Sequence, residues 1–356
     1  MNAVPRTPLS GNCVWTGDDL KRDERWIVPW TGAEIAEIAT ATAAASRRGL
    51  GHDDVSADDF RAPLVAAKLR RVAADLEDGC GIVKLTGLPV GAYDEAGLKL
   101  LFLGLSRHLG TPVFQNERGQ LIRWIVDEGG DVAKRHGAIT APTDGKPFLS
   151  SKARTYSNGA LRFHTDRTDV VGLLSVGRAR SGGVSRVASS VAVHNAMLAR
   201  RPDLAEVLYA PIWRSRFGEE KGGETAIYPL PVFGVRDGKF TSHYSRTYVE
   251  AAQMLDGTPP MTDRQWEALD VLDALAAELS LEMRLGPGDM QFVNNHVIYH
   301  ARTAFEDDPA AGLVRRLLRV WLCMPNHRAL PRDQAVLWVD TEPGRLRGGI
   351  GQGAVA

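Results

Sequence analysis

The chain has 356 residues, and its 43 lysines and arginines balance 43 aspartates and glutamates, so the formal net charge is zero. A protein without a basic excess is not expected to bind nucleic acid, and no apolar run approaches the ~20 residues that a membrane helix needs. Three widely spaced cysteines argue against a disulfide framework or a thiolate zinc site. Because the N-terminus also lacks an apolar signal core, we expect a cytoplasmic protein that acts on a small molecule. The sequence does not decide between a monomer and a homo-oligomer.

The first third of the chain is predicted to pack helices against the outside of a sheet. Residues 1–30 have no clear periodicity and are expected to form an N-terminal arm. After them, segments with apolar residues at helical spacing alternate with segments typical of strands. The predicted helices are 31–49, 64–78 and 94–109, and the predicted strands are 80–89 and 121–126.

Residues 127–160 are rich in glycine, aspartate, lysine and proline and show little periodicity. A loop of this length inside a compact domain is uncommon, and it is usually a lid or a binding loop. We expect a lid-like insertion, because the segment directly precedes the metal motif described below. A surface insertion without a function is the alternative.

Short strands dominate the rest of the chain. Helices are predicted at 193–201 and 262–279, and the segment 344–356 is rich in glycine, which favours a flexible C-terminal tail. Residues 31–343 then form a single domain. Strands spread along the chain that meet at one site are typical of a jelly roll, so the predicted fold is mixed α+β, dominated by a double-stranded β-helix (jelly roll) with flanking helices.

The strongest indication of chemistry is a histidine and a carboxylate two residues apart, His164 and Asp166. On an extended strand these side chains point to the same face. A third ligand is available downstream at His300, with His296 as a competing candidate. Two imidazoles and one carboxylate form the facial triad of non-haem Fe(II) oxygenases, which leaves metal positions open for O₂ and a cosubstrate.

Arginines follow the third histidine in an alternating apolar segment that predicts a strand, on which Arg315 and Arg319 share one face. A guanidinium inside a barrel can hold a carboxylate through two parallel hydrogen bonds. Arg316 is expected to face solvent.

Several short motifs lie between residues 164 and 319, and the resemblance that they carry covers roughly residues 75–330. They are His164-Thr-Asp166, the turn Gly182-Gly183-Val-Ser185, Gly288-Asp289, Asn295 with His300 five residues later, and the pair Arg315 and Arg319. Together they resemble the taurine dioxygenase-like branch of the Fe(II)/2-oxoglutarate-dependent oxygenases.

The resemblance implies Fe(II) as the metal and 2-oxoglutarate and O₂ as cosubstrates, with His164, Asp166 and His300 as iron ligands. It implies that Arg315 holds the distal carboxylate of 2-oxoglutarate and that Ser185 supplies a hydroxyl to it. The implied reaction hydroxylates or desaturates an unactivated carbon of a small carboxylated molecule and releases succinate and CO₂. An insertion after Phe305 lengthens the spacing that precedes the arginines, which leaves Arg315 and Arg316 as alternatives for the cosubstrate contact.

Substrate contacts are harder to predict. The resemblance implies that Arg319 meets an anionic group of the substrate, and Arg246, Tyr244 and Arg302 are further candidates near the mouth of the barrel. Two other functions use the same residues: a zinc-type hydrolase in which the triad activates water, and a barrel that binds small molecules without catalysis. The hydrolase gives no role to paired arginines on a late strand.

Overall fold

The computed structural model describes residues 6–140, 147–217, 219–220 and 224–350. The α-helices are α1 (Gly17–Arg22), α2 (Gly32–Arg47), α3 (Pro63–Asp78), α4 (Glu95–Arg107), α5 (Val132–His136), α6 (Ser151–Thr155), α7 (Ser190–Arg200), α8 (Pro202–Val207), α9 (Arg246–Ala252), α10 (Asp263–Glu278) and α11 (Ala335–Trp338). The strands are β1 (Ile27–Pro29), β2 (Ile82–Thr86), β3 (Thr111–Pro112), β4 (Ile122–Ile125), β5 (Ala138–Thr140), β6 (Pro147–Leu149), β7 (Leu161–His164), β8 (Val170–Gly177), β9 (Ser181–Gly182), β10 (Ser185–Ser189), β11 (Ile212–Ser215), β12 (Ile227–Leu230), β13 (Phe233–Arg236), β14 (Lys239–Ser242), β15 (Leu281–Met283), β16 (Met290–Asn294), β17 (Ile298–Arg302), β18 (Phe305–Glu306) and β19 (Arg316–Cys323).

Two sheets carry the site. The larger sheet has the order β1-β2-β16-β8-β19-β3, with β4 also paired to β19, and the smaller has the order β15-β10-β17-β7. Within these two sheets β1 and β2 pair in parallel, and the other pairs are antiparallel. Apolar side chains of both sheets meet in one core cluster, among them Val171 and Trp321 from the larger sheet and Val187 and Tyr299 from the smaller. The chain therefore mixes helices and strands, as expected.

Helices α2, α3 and α4 cover the outer face of the larger sheet, as the sequence predicts. Along β19, Leu318, Val320 and Leu322 point into the core that these helices share with the sheet. The alternate residues Arg319 and Trp321 therefore point to the inner face, because side chains on a strand alternate. This alternation turns Arg319 and Trp321 toward the metal ligands.

The helix starts follow from side-chain caps. Thr31 accepts a hydrogen bond from the backbone N–H of Glu34, and the Glu34 carboxylate accepts one from the N–H of Thr31. Thr262 and Gln265 form the same reciprocal box at the start of α10. Each box satisfies two backbone donors that the first turn of a helix leaves free.

The two ends of the described chain are more ordered than the sequence predicts. The arm contains α1, and Trp15 and Trp26 are buried in the main core. The expected flexible tail is packed up to Ile350, which is buried, and Arg347 is enclosed against Asp169. The glycine-rich composition predicts a flexible tail, but the buried ion pair of Arg347 and Asp169 holds residues 344–350 against the domain. Residues 351–356 of that tail lie outside the described residues.

The 127–160 segment is not structureless where the structure describes it. It contains α5, the β5–β6 hairpin and α6, and residues 141–146 lie outside the described residues. Its second half packs beside the site, where the Tyr156 ring is buried.

No helix among the described residues is long and apolar enough to cross a membrane.

Candidate metal centre

Two histidines meet across neighbouring strands of the smaller sheet. His164 at the end of β7 lies directly opposite His300 on β17 in the antiparallel register. Directly opposed residues on such a pair project from the same face, and the two imidazole rings lie 4.2 Å apart between centroids. Strand pairing alone therefore brings together side chains that are 136 residues apart in the sequence.

Asp166 completes the group from the turn that follows β7. The side-chain oxygen of Asn295 accepts a hydrogen bond of 3.0 Å from the Asp166 backbone N–H and so holds this turn against the end of β16. The carboxylate lies 3.8 Å from Nε2 of His164 and 3.7 Å from Nε2 of His300. The three ligand atoms all lie within 4.8 Å of one another, a spacing that fits one metal ion.

The protonation states also suit a metal. Nδ1 of His164 donates to the carbonyl of Arg162 at 2.8 Å, which leaves the lone pair on Nε2 free to bind a metal. Burial and the neighbouring His164 lower the pKa of His300 to about 3, so its imidazole is neutral. Burial raises the pKa of the Asp166 carboxyl, but the charge of Arg319, the two histidines and the Trp321 hydrogen bond together outweigh burial, and the net pKa lies below its usual value. Nε1 of Trp321 donates to the same carboxylate at 3.1 Å.

His296, the competing third ligand, is turned away from this group. Its Nε2 donates to Asp169 at 2.8 Å, and its Nδ1 accepts from the hydroxyl of Thr241 at 2.9 Å. Burial lowers the pKa of His296 to about 4. With both nitrogens engaged, His296 is a hydrogen-bonded core histidine, and the structure groups His300 with the other two ligands instead.

Arg315 and Arg316 have different surroundings. Arg315 is 8% exposed, stacks on Phe305 at 5.3 Å, and its Nη1 has no hydrogen-bond partner among the described residues. Burial, reinforced by the charge of Arg302, lowers the pKa of Arg315 to about 9, so it remains a cation at neutral pH. Arg316 instead lies over Trp124 on the outside.

Arg315 lines a cleft of about 570 Å³ that also contains all three metal-ligand candidates. Ser185 lies in the same cleft, where its hydroxyl donates to Oε1 of Gln291 at 2.8 Å. Gly183, at φ +64°, keeps the neighbouring turn close, because an added Cβ would lie 3.0 Å from Cδ of Arg315. Gln291 belongs to none of the motifs in the sequence, and its place beside Ser185 follows from the fold.

Two of the four predicted substrate residues reach this region. Arg319 lies 3.8 Å from Asp166 and donates to Oε1 of Gln115 at 2.7 Å. Arg302 also lines the cleft, but its guanidinium donates to the carbonyls of Ser157 and Gly159. Arg302 therefore fastens the end of the 127–160 segment to β17.

The other two predicted substrate residues point elsewhere. Tyr244 is fully buried and packs edge-on against Tyr299 in the main core. The Arg246 guanidinium is held by Glu250 at 2.9 Å and by Asp270 at 2.6 Å. Tyr244 and Arg246 are candidates because of their residue type and their position near the mouth of the barrel. Their side chains point away from the metal ligands, and a sequence does not contain side-chain directions.

A second cleft of about 790 Å³, called the outer cleft, shares His164, Asp166 and Arg319 with the first, which is called the inner cleft. Its wall contains charged and polar side chains that the sequence interpretation did not assign to substrate binding, and no local pattern identifies them. They include Arg123, Lys152, Arg167, Arg216, Glu219 and Tyr248.

Comparison with protein families gives a match over most of the chain. The model of the taurine catabolism dioxygenase TauD, TfdA family matches residues 44–321, more than three quarters of the chain. The chain belongs to the TauD/TfdA family. This protein is therefore a 2-oxoglutarate-dependent non-haem iron dioxygenase that uses Fe(II), 2-oxoglutarate and O₂.

Among curated relatives, FR-33289 synthase of Streptomyces rubellomurinus is 29% identical over 342 residues, which cover 93% of this chain and 95% of the relative. Taurine hydroxylase-like protein SAT17 of Stachybotrys chartarum is 29% identical and covers 88% of this chain and 79% of the relative.

Solved structures share the fold at lower identity. An asparagine oxygenase in complex with Fe(II), 3-hydroxyasparagine and succinate has a TM-score of 0.62 and 19% identity, covering 84% of this chain and 94% of the other. The non-haem iron oxygenase OrfP with Fe and α-ketoglutaric acid has a TM-score of 0.59 and 17% identity, covering 83% and 93%.

Proposed function

We propose that this dioxygenase hydroxylates a small carboxylated molecule, with His164, Asp166 and His300 holding the iron. The observation that carries the proposal is the pairing of this triad with one buried cation, Arg315, that has no carboxylate within ion-pair distance among the described residues. A buried charge without a partner is costly. A carboxylate of 2-oxoglutarate would supply the missing partner.

Bound at the triad, Fe(II) supplies the redox chemistry that couples oxidative decarboxylation of 2-oxoglutarate to oxidation of a carbon. The residues around it act by positioning. Arg162 fixes the tautomer of His164 through its carbonyl, and Asn295 fixes the turn that carries Asp166. Trp321 donates to the carboxylate oxygen nearest His300, which limits how the carboxylate can rotate.

The cosubstrate is proposed to lie in the inner cleft, with its distal carboxylate at Arg315. A guanidinium and a carboxylate form paired, charge-assisted hydrogen bonds. Ser185 donates to Gln291 in the structure, and its hydroxyl can rotate to donate to the same carboxylate. A hydrolase that uses the same triad would not need a buried cation in this cleft. The position of Arg315 therefore favours an oxygenase that binds 2-oxoglutarate there.

The outer cleft is the proposed substrate site. Five cationic side chains line it, and Glu117, Asp166 and Glu219 are its carboxylates. The excess of positive charge over lining carboxylates favours a substrate that carries a carboxylate. The molecules bound in two similar solved structures, hydroxyasparagine and hydroxy-L-arginine, are amino acids. This supports a carboxylated, amino-acid-like substrate. Arg319 lines both clefts and is proposed to hold the carboxylate of the substrate.

The 127–160 segment is proposed to close over this site. Ser151, Lys152, Thr155 and Tyr156 belong to the segment and line the outer cleft. A closing segment excludes water from the reaction and completes the site when substrate is bound. The two sheets that surround the clefts are, in this proposal, the two halves of a jelly roll.

The proposal is tested by incubating the iron-loaded protein with 2-oxoglutarate, O₂ and a panel of amino acids and related carboxylic acids. Succinate release is measured, and products are examined for a gain of one oxygen atom. We expect one or more members to stimulate succinate release and to gain oxygen. If the protein hydrolyses esters or amides in the panel without consuming 2-oxoglutarate, the proposed reaction is wrong.

A further inference from the structure

The outer cleft contains a carboxylate that the proposed iron and cosubstrate sites do not use. Glu219 lines this cleft together with His164 and Asp166. Its Oε1 accepts a hydrogen bond of 2.9 Å from the hydroxyl of Tyr248 on α9. In the part of the chain that the structure describes, no lysine, arginine or histidine nitrogen lies within ion-pair distance of it.

The two basic side chains whose charges influence Glu219 most, Lys152 and Arg167, form ion pairs with other carboxylates. Lys152 lies 3.6 Å from Glu117, and Arg167 donates to Glu224 at 3.1 Å. Burial raises the pKa of the Glu219 carboxyl to about 7, and the Tyr248 hydrogen bond only partly opposes this effect. An acid that is desolvated and lacks a counter-charge is destabilised when ionised. A cationic group that enters the cleft would relieve this penalty.

The backbone that places Glu219 is also unusual. Phe217, two residues earlier, has φ +45°, a left-handed conformation that bulky residues rarely adopt. Its ring stacks on Phe148 of the 127–160 segment at 6.4 Å, and its N–H donates to the hydroxyl of Ser215 at 3.0 Å. These contacts hold Phe217 in place beside the wall that Glu219 lines.

We infer that Glu219, positioned by Tyr248, binds an ammonium group of the primary substrate and so makes the enzyme selective for zwitterions. This inference rests on the proposed function. The substrate's carboxylate lies toward Arg319 and its ammonium toward Glu219, so the two charges fix the orientation of the carbon skeleton beside the iron ligands. A charge-assisted bond of this kind is stronger than a neutral one.

The test compares free and N-acetylated forms of the common L-amino acids, because acetylation removes the ammonium charge and keeps the carboxylate. Binding is measured without turnover, as the perturbation of the anaerobic Fe(II)–2-oxoglutarate absorption band. The variants are Glu219→Gln and, as a matched control, Glu220→Gln, since the neighbouring Glu220 is exposed. Wild-type protein should bind one or more free amino acids about tenfold or more tightly than the acetylated form.

Glu219→Gln should reduce this preference by about tenfold or more, and Glu220→Gln should leave it unchanged. The inference is overturned if no free amino acid is preferred, if Glu219→Gln keeps the preference, or if it weakens both forms equally, which would indicate a structural role. If wild-type protein gives no absorption band with Fe(II) and 2-oxoglutarate, the proposed function fails, and this inference fails with it.

Discussion

Replacing Arg315 with methionine should weaken 2-oxoglutarate binding while leaving the fold intact. Charge-assisted hydrogen bonds contribute about 1.5–3 kcal/mol each, and each ~1.4 kcal/mol is a factor of ten in affinity. Losing one such bond should therefore raise the KM for 2-oxoglutarate roughly 10- to 150-fold. Because the contact lies at the far end of the cosubstrate, kcat at saturating 2-oxoglutarate should change less than KM.

We also predict the effect of Arg315→Met on the free energy of unfolding, independently of its effect on 2-oxoglutarate binding. Arg315 is buried without a carboxylate partner among the described residues, and a buried charge without a partner carries an uncompensated desolvation cost that an apolar side chain of similar volume does not. Urea unfolding of metal-free protein should therefore show Arg315→Met to be at least as stable as wild type.

Arg316→Met is the matched control for both measurements, because Arg316 lies on the outside beside Glu95 and Trp124. It should leave the KM for 2-oxoglutarate unchanged. An unchanged KM in Arg315→Met, or a raised KM in Arg316→Met, would refute the assignment. A large loss of stability in Arg315→Met would show that its guanidinium has a protein partner instead.

Three further predictions concern the ligands, the buried ion pair and the segment over the cleft. Alanine at any one of the three proposed iron ligands should abolish succinate formation without changing the circular dichroism spectrum, because two donors hold iron poorly; an active His300→Ala beside an inactive but folded His296→Ala would reverse the choice of histidine. Arg347→Met should lower the free energy of unfolding by roughly 3–5 kcal/mol in urea titrations, because Asp169 loses its buried cationic partner; an unchanged midpoint would deny the pair a structural role. Trypsin cleavage within 127–160 should be slowest when iron, 2-oxoglutarate and substrate are all bound, and equal rates in every state would make the segment an ordinary surface insertion.

The parts of the protein that could be predicted are those with local signals. The spacing of His164 and Asp166 predicts one shared face of a strand. The strand β7 ends at His164 and Asp166 lies in the turn after it, but the structure still places both beside His300. The capped helix that begins after Thr31 is found where its periodicity indicated. Strand and helix periods are properties of neighbouring residues, so they are visible in a single sequence.

The parts that could not be predicted depend on contacts between distant residues. The ordered end of the chain is held by Arg347 against Asp169, which lies 178 residues earlier. Tyr244 and Arg246 have suitable chemistry, but their directions are decided by packing against Tyr299 and by ion pairs of α9. No periodic pattern or motif marks Glu219, and its place in the cleft follows only from the folded chain.

The central claim is that His164, Asp166 and His300 hold an iron that binds 2-oxoglutarate. The most direct measurement is the visible absorption spectrum after anaerobic addition of Fe(II) and then 2-oxoglutarate to metal-free wild-type protein and to the His300→Ala and His296→Ala variants. We predict a weak charge-transfer band in wild type that is lost in His300→Ala and retained in any His296→Ala protein that remains folded. A wild-type protein that binds iron without developing the band, or a His300→Ala variant that retains it, would contradict the claim.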